Sequence, residues 1–271
     1  MPTTIPTVTS STRPGSPSAG DAYFETDTKN YIIYDGSNWR GYQNDGRGVL
    51  TATFDGTDDR VDLGTISSLA SASAFSITAW FKVPTTSTQN GSIFGSVDFY
   101  NGVGLKIAYY NGGTYIDGTI GKGGSAYAGR RFNSGFSSSY NLFDDEWHHV
   151  AMVYDGSSIT LYVDNSSSSG YTDANIGTSV PSSTQSGAGA DSRIASRGDI
   201  ASGFFFEGSL DDVAIFNSAL TSTQIADIYN NDTYHSSVQH RYTFDTNFND
   251  SVGSNNGTSQ NGATAGVSDL R

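Results

Sequence analysis

The 271-residue sequence contains no cysteine, which excludes disulfides, thiolate zinc sites and thiol catalysis. Basic residues are scarce: 14 Lys and Arg stand against 27 Asp and Glu, for a formal net charge of −13. Phosphate binding needs clustered Lys and Arg, so nucleic acid is not an expected partner, and neither is an anionic membrane surface. No apolar run approaches the roughly 20 residues of a bilayer-spanning helix, so membrane insertion is not expected. Glutamate is nearly missing, at Glu25, Glu146 and Glu207 only. The chain lacks an E-x-D-x-E run, a G-x-S-x-G elbow, a Walker loop and a dinucleotide fingerprint, so the usual signatures of carboxylate, serine and nucleotide chemistry are absent. The first residues, MPTTIPTVTSSTRPGSPSAG, have neither the basic start nor the apolar core of a secretory signal. An extracellular protein is then expected either as a mature form or as part of a particle released by lysis.

What is abundant points to β structure. Glycine reaches 32, tyrosine 16 and phenylalanine 15, a mixture of turn formers and strand-favouring aromatics. The acidity is nearly all aspartate, a turn residue that also suits calcium. The stretch WHHVAMVYDGSSITLYVDN, residues 147–165, reads as a tight hairpin with Asp155-Gly156 at its turn. Val150, Met152 and Tyr154 fall on one face of the first strand, and Trp147, His149, Ala151 and Val153 on the other. Both faces are partly apolar, so this strand is expected inside a sandwich.

Further short strands are expected in VLTATFDGTDDRVDLG, FSITAWFKV, GSIFGSV, GVGLKIAYYN, TYIDGTI, ASRGDI and FEGSLDDVAIFN. A long Gly- and Ser-rich loop is expected from Gly121 to Asn141, and a polar linker from Ser166 to Gly189. ALTSTQIADIYNN reads as one short helix, capped by Thr221 or Ser222. Many short strands with turns every eight to twelve residues describe a β-sandwich. The ordered set FDGTDDRVDLG, FSITAWFKV, GSIFG, EWHHVAMVYDGSSITLYVDN and FEGSLDDVAIFNSALTSTQIADIY resembles the laminin-G-like, concanavalin A-like jelly roll over residues 48–231. The fold class expected is therefore all-β, a jelly-roll sandwich with a small N-terminal β-hairpin arm. The resemblance implies that Trp80 and Trp147 pack in the core.

Residues 1–20 form a polar arm, expected to be extended and disordered by itself. Residues 21–47 hold a small β-hairpin unit too short for an independent core. Its Arg13-Pro14, Pro17, Gly20-Asp21, Tyr23, Asp27-Thr28 and Tyr34-Asp35-Gly36-Ser37-Asn38-Trp39 resemble a module found near the start of tailed-phage virion proteins. That likeness implies attachment to other virion proteins through residues 1–42. At the other end, residues 232–271 contain VQHRYTFDTNFNDSVGSNNG, which resembles the opening of a laminin-G-like domain displaced to its end. Three arrangements are open: the stump of a second domain, a strand folded back to complete the sandwich, or a strand exchanged with a neighbouring subunit.

Calcium takes six to eight oxygen ligands from carboxylates, amides, carbonyls and water. The tail offers Asp245, Asp250, Asn255 and Asn256, β-strand residues Asp211 and Asp212 follow FEGSL, and FDGTDD offers Asp55, Asp58 and Asp59. The resemblance implies a structural calcium held by Asp211, Asp250 and Asn256, with Asp245 beside them. Glycan binding needs exposed aromatics with polar groups for hydroxyls; Tyr109, Tyr110, Asn111, Tyr100, Asn101, Tyr127 and Asp98, read as loops or strand ends, are the candidates. His148 and His149 alternate across a strand and cannot both point at one site, so scaffold roles are expected. Together the resemblances imply a non-enzymatic phage virion protein, assembled in the host cytoplasm and displayed on the released particle as a capsid decoration, head fibre or tail-fibre appendage. It is expected to be a homotrimer by analogy with fibres and to bind a host glycan. A secreted bacterial carbohydrate-binding module is the alternative, and a glycan-cleaving enzyme a third reading.

Overall fold

The computed structural model describes residues 6–26, 30–34, 39–43, 50–110, 113–133, 135, 137, 141–167 and 173–268. The chain divides into two units, residues 1–49 with 268–271, and Leu50–Val267. In the first, Thr7–Val8 (β1), Ala22–Glu25 (β2), Asn30–Tyr34 (β3) and Trp39–Gln43 (β4) form a four-stranded sheet in chain order. Residues 27–29 and 35–38, between these strands, lie outside the described residues. Residues 6–20 differ from the disordered arm that composition suggests. β1 runs parallel to β2, and the Phe24 and Thr26 amides donate to the Pro6 and Val8 carbonyls at 2.9 Å. A polar segment needs no core of its own when a neighbouring strand edge satisfies its backbone.

The second unit runs through Leu50–Asp55 (β5), Arg60–Gly64 (β6), Phe75–Lys82 (β7), Gly91–Gly95 (β8), Val103–Tyr110 (β9), Gly113–Gly123 (β10), Ala126–Phe132 (β11) and His148–Tyr154 (β12). Ile159–Val163 (β13), Asp173–Gly177 (β14), Ser192–Ile194 (β15) and Glu207–Phe216 (β16) follow, then the helix Ser222–Asn231 (α1), Val238–Tyr242 (β17), Thr258–Gln260 (β18) and Thr264–Ser268 (β19). One sheet has the order β14-β11-β10-β9-β8-β15-β6-β18; the other has β13-β12-β7-β16-β5-β19, with β17 also on β16. This is a two-sheet antiparallel sandwich of the jelly-roll kind.

Alternation fills the space between the sheets. Phe75, Ile77 and Phe81 of β7 and Val150, Met152 and Tyr154 of β12 meet Leu105, Ile107, Ile116 and Ile120 of β9 and β10 in one buried cluster. Each such side chain contributes about 1.5–3 kcal/mol on burial. The opposite face of β12 is covered too: Ala151 and Val153, with Ala214 and Phe216, pack beneath Leu220, Ile225 and Ile228. The helix starts at Thr221, whose hydroxyl accepts the Gln224 amide at 3.3 Å while Gln224 Oε1 accepts the Thr221 amide at 2.9 Å. Trp80 belongs to this outer layer and not to the space between the sheets. Its ring stacks on Tyr229 of α1 at 5.3 Å and lies 5.2 Å from His149.

The β12–β13 hairpin closes through residues 155–158, a longer loop than a two-residue turn. Gly156 has φ +83°, a left-handed conformation that glycine adopts without penalty. Asp155 Oδ1 accepts the Ser157 and Ser158 amides at 2.8 and 2.7 Å.

Two segments expected as loops contain strands. β10 continues to Gly123 and β11 occupies 126–132, in the region expected as a loop. Its Ala128 and Phe132 are fully buried, so tertiary burial overrides a Gly- and Ser-rich composition. β14 lies within the expected linker and pairs with β11 at the sheet edge. The tail supplies strands to both sheets: β17 to β16, β18 to β6 and β19 beside β5. Its Tyr242 and Phe244 are fully buried in the main core.

Candidate functional site

A cleft of about 230 Å³ opens on the outer face of the eight-stranded sheet. Its floor comes from the alternation of β9 and β10. Leu105, Ile107 and Ile120 face the core, which turns Gly104, Lys106 and Thr119 into the cleft. The loop after β8 builds one wall. Asp98 Oδ1 accepts the Tyr100 amide at 2.7 Å and the Asn101 amide at 2.9 Å, and both its oxygens accept the Asn101 side-chain amide. This closed turn leaves Tyr100 40% exposed. Phe99 packs behind it, 5.4 Å from Tyr100 and 4.2 Å from Tyr127. Burial acts to raise the Asp98 pKa, but the Asn101 side chain, the two amides and the Arg197 charge outweigh it and hold the carboxyl below its ordinary value.

Arg197 and Phe204 form the other wall. The guanidinium lies 4.7 Å over the Phe204 ring and pairs with Asp199 at 2.8 Å. Lys106 Nζ sits 5.6 Å from the same ring and 3.4 Å from Asp117, whose carboxylate Arg131 grips at 2.6 and 2.7 Å. The cleft thus has an exposed aromatic edge, aromatic walls, and fixed donors and acceptors at its floor. Among the described residues that line it, Asp98 alone carries a carboxylate.

Residues 55–226, more than half of the chain, match Laminin_G_3, the concanavalin A-like lectin/glucanases superfamily. The chain belongs to that superfamily. Its laminin-G-like sandwich is similar to the heptameric SAP-like pentraxin of Limulus polyphemus, with a TM-score of 0.53 at 14% identity over 81% of this chain and 95% of the pentraxin. It is also similar to a candidate carbohydrate-binding protein of Bacteroides ovatus, with a TM-score of 0.52 at 17% identity over 92% of this chain and 69% of that one. At these identities the likeness is one of fold alone. No curated protein matches the chain by sequence.

The laminin-G-like frame brings together some of the residues expected at its sites. Tyr100 and Asp98 share the cleft, with Tyr127 behind them. Tyr109 and Tyr110 do not line it. Tyr109 falls on the core side of β9, stacked on Phe143 at 5.9 Å, and Tyr110 is 53% exposed at the end of the strand. Asn111 lies outside the described residues. Lys106, Arg197 and Phe204 had no sequence signal of their own, because they converge from β9 and from the distant loop between β15 and β16.

The residues expected to hold calcium are engaged with one another. Asp250 Oδ1 accepts the amides of Arg241, Val252 and Gly253 at 3.1, 3.1 and 2.9 Å. Its Oδ2 accepts the Asn255 amide at 3.2 Å and lies 2.6 Å from His240 Nδ1. Asn256 Oδ1 accepts the Asp250 amide at 3.1 Å. Asp211 is buried on β16 and accepts the Asp212 amide at 2.9 Å. Arg241 bridges Asp212 at 2.8 Å and Asp232 at 3.2 Å. With both oxygens of Asp250 occupied and a guanidinium between β16 and the tail, this set does not fit calcium. Asp245 is half-buried and joins no group of three metal-ligating side chains among the described residues.

Proposed function

We propose that the protein is a glycan-binding structural component of a tailed-phage particle, displayed on its surface as a capsid decoration, head fibre or tail-fibre appendage. The observation that carries the binding role is the cleft, with Tyr100 exposed at its edge above Asp98, Arg197 and Phe204. A sugar stacks its apolar face on an aromatic ring and gives its hydroxyls to fixed polar groups, and such sites are concave and largely preformed. A single lining carboxylate favours binding over glycoside hydrolysis, which needs two acids flanking one bond. The superfamily supports the lectin-like role, and the likeness of residues 13–39 to virion modules supports attachment through residues 1–42. Assembly in the host cytoplasm and display on the released particle follow from that reading. Many displayed copies, a homotrimer in the simplest fibre-like case, turn weak glycan contacts into firm adhesion.

Two experiments test this reading. Glycan-array binding by the full chain, lost in Tyr100→Ala, supports the cleft; binding unaffected by that change rejects it. Mass spectrometry of purified particles tests the virion assignment, which fails if the protein is absent from them.

A further inference from the structure

The turn between β5 and β6 gathers carboxylates far from the cleft in sequence. One oxygen from each of Asp55, Asp58 and Asp59 lies within 4.8 Å of the others, the one such group among the described residues. Aspartates crowd turns for backbone reasons, and Asp55 shows this: its Oδ1 accepts the amides of Thr57 at 2.8 Å and Asp58 at 3.4 Å. Asp59 is different. It is 5% exposed, its Oδ2 accepts the Asp55 amide at 3.0 Å, and its Oδ1 is buried without a hydrogen-bond partner. An unmatched buried carboxylate oxygen carries the full desolvation penalty of the group. Two more carboxylates beside it deepen the deficit of positive charge.

The tail closes over the same turn. Asn261 Nδ2 donates to the Asp58 carbonyl at 3.0 Å, which fastens the tail to the turn. Gly262 follows with φ +149°, and a Cβ built there would lie 2.8 Å from Asp59 Oδ1. Only glycine lets the tail pack this closely against the unmatched oxygen. The neighbouring Arg60 turns its guanidinium to Asp62 at 3.1 Å and reaches the cluster only through the Asp58 carbonyl.

We propose that Asp55, Asp58 and Asp59 hold a calcium ion that ties the β5–β6 turn to the Asn261-Gly262 turn of the tail. The donors are hard oxygens, three of them anionic, and calcium completes its shell with carbonyls and water. A chain of net charge −13 concentrates cations at such a turn. This is a different set from Asp211, Asp245, Asp250 and Asn256. Burial raises the Asp59 pKa against the lowering effect of the Asp55 amide, and the charges of Asp55 and Asp58 raise it further.

The test uses the full chain, stripped with a chelator and titrated with calcium chloride by calorimetry and by thermal unfolding. One ion is expected per chain, with Tm rising as calcium is added. Asp58→Asn, on the exposed side of the turn, is expected to weaken binding roughly tenfold or more while leaving the circular dichroism spectrum and the metal-free Tm unchanged. Asp59→Asn is expected to abolish the calcium response, and Asp245→Asn to leave it intact. No heat of calcium binding in the unmodified chain overturns the proposal. So does undiminished binding in Asp58→Asn, or a loss in Asp245→Asn that Asp58→Asn does not share.

Discussion

His240 Nδ1 on β17 lies 2.6 Å from Asp250 Oδ2, in the loop that carries the tail from one sheet to the other. Three main-chain amides fill the other oxygen of that carboxylate, so one side chain organises the whole crossing. Asp250→Ala leaves these donors and the imidazole without an acceptor. Its expected cost is about 3 kcal/mol in urea unfolding.

The same carboxylate makes a pH prediction. Burial acts to raise the Asp250 pKa, but His240 and the amides of Gly253, Arg241 and Val252 outweigh it and hold it below 3.8. The unfolded chain then takes up the proton first. The stabilisation is complete above the ordinary value and is lost as pH falls through the lower folded one. Acid titration followed by circular dichroism should show a steeper loss of stability in the unmodified chain than in Asp250→Ala.

His148 predicts the opposite slope. Its Nδ1 lies 2.8 Å from Asp164 and its Nε2 3.1 Å from Asp144. Burial acts to lower its pKa, but these two aspartates outweigh it and raise the imidazole above 6.5. Its contribution is complete below the unfolded value and disappears as pH rises through the folded one. Tm should fall as pH rises past the ordinary imidazole range, and His148→Gln should flatten that fall.

Tyr100 and Tyr109 separate binding from stability. Tyr100→Ala is expected to reduce glycan affinity about tenfold, equivalent to about 1.4 kcal/mol, with Tm unchanged. Tyr109→Ala, which removes a ring stacked on Phe143, should lower Tm and leave glycan affinity alone. Paired calorimetry and array binding on the two variants decide between them.

Phe244 measures what the tail gives to the core. It is fully buried among residues of both sheets and lies 5.6 Å from Phe248. Phe244→Ala should cost about 3–5 kcal/mol, read as a shift in the denaturant midpoint. Removal of residues 238–271 should abolish cooperative unfolding.

Much of the sandwich is legible in the sequence because alternation assigns faces directly. Val150, Met152 and Tyr154 point inward, while Ala151 and Val153 lie under α1, as their spacing indicates. β11 escapes that reading: AYAGRRF mixes glycine with charges and pairs on both sides, so its burial comes from neighbours distant in sequence. The cleft was half legible. Asp98 and Tyr100 share one turn and announce themselves, whereas Lys106 meets Arg197 and Phe204 only once β9 and the loop after β15 come together across β8. Tyr109 misleads because its position in a polar, aromatic run conceals an inward parity. Trp80 misleads in the other direction, since an apolar ring on an alternating strand does not say which of two cores receives it.

The tail also sets how the sandwich carries load. β5 and β19 are neighbours, and Thr51 Oγ1 donates to the Val267 carbonyl at 3.4 Å. The entry and exit of the sandwich therefore lie side by side at one sheet edge. Tension drawn between residues 50 and 268 reaches the β5–β19 pair before any other, and the eight-stranded sheet with its cleft stands outside the first path of force. Forced unfolding drawn between these two points is therefore expected to begin at that edge pair, with the core yielding afterwards.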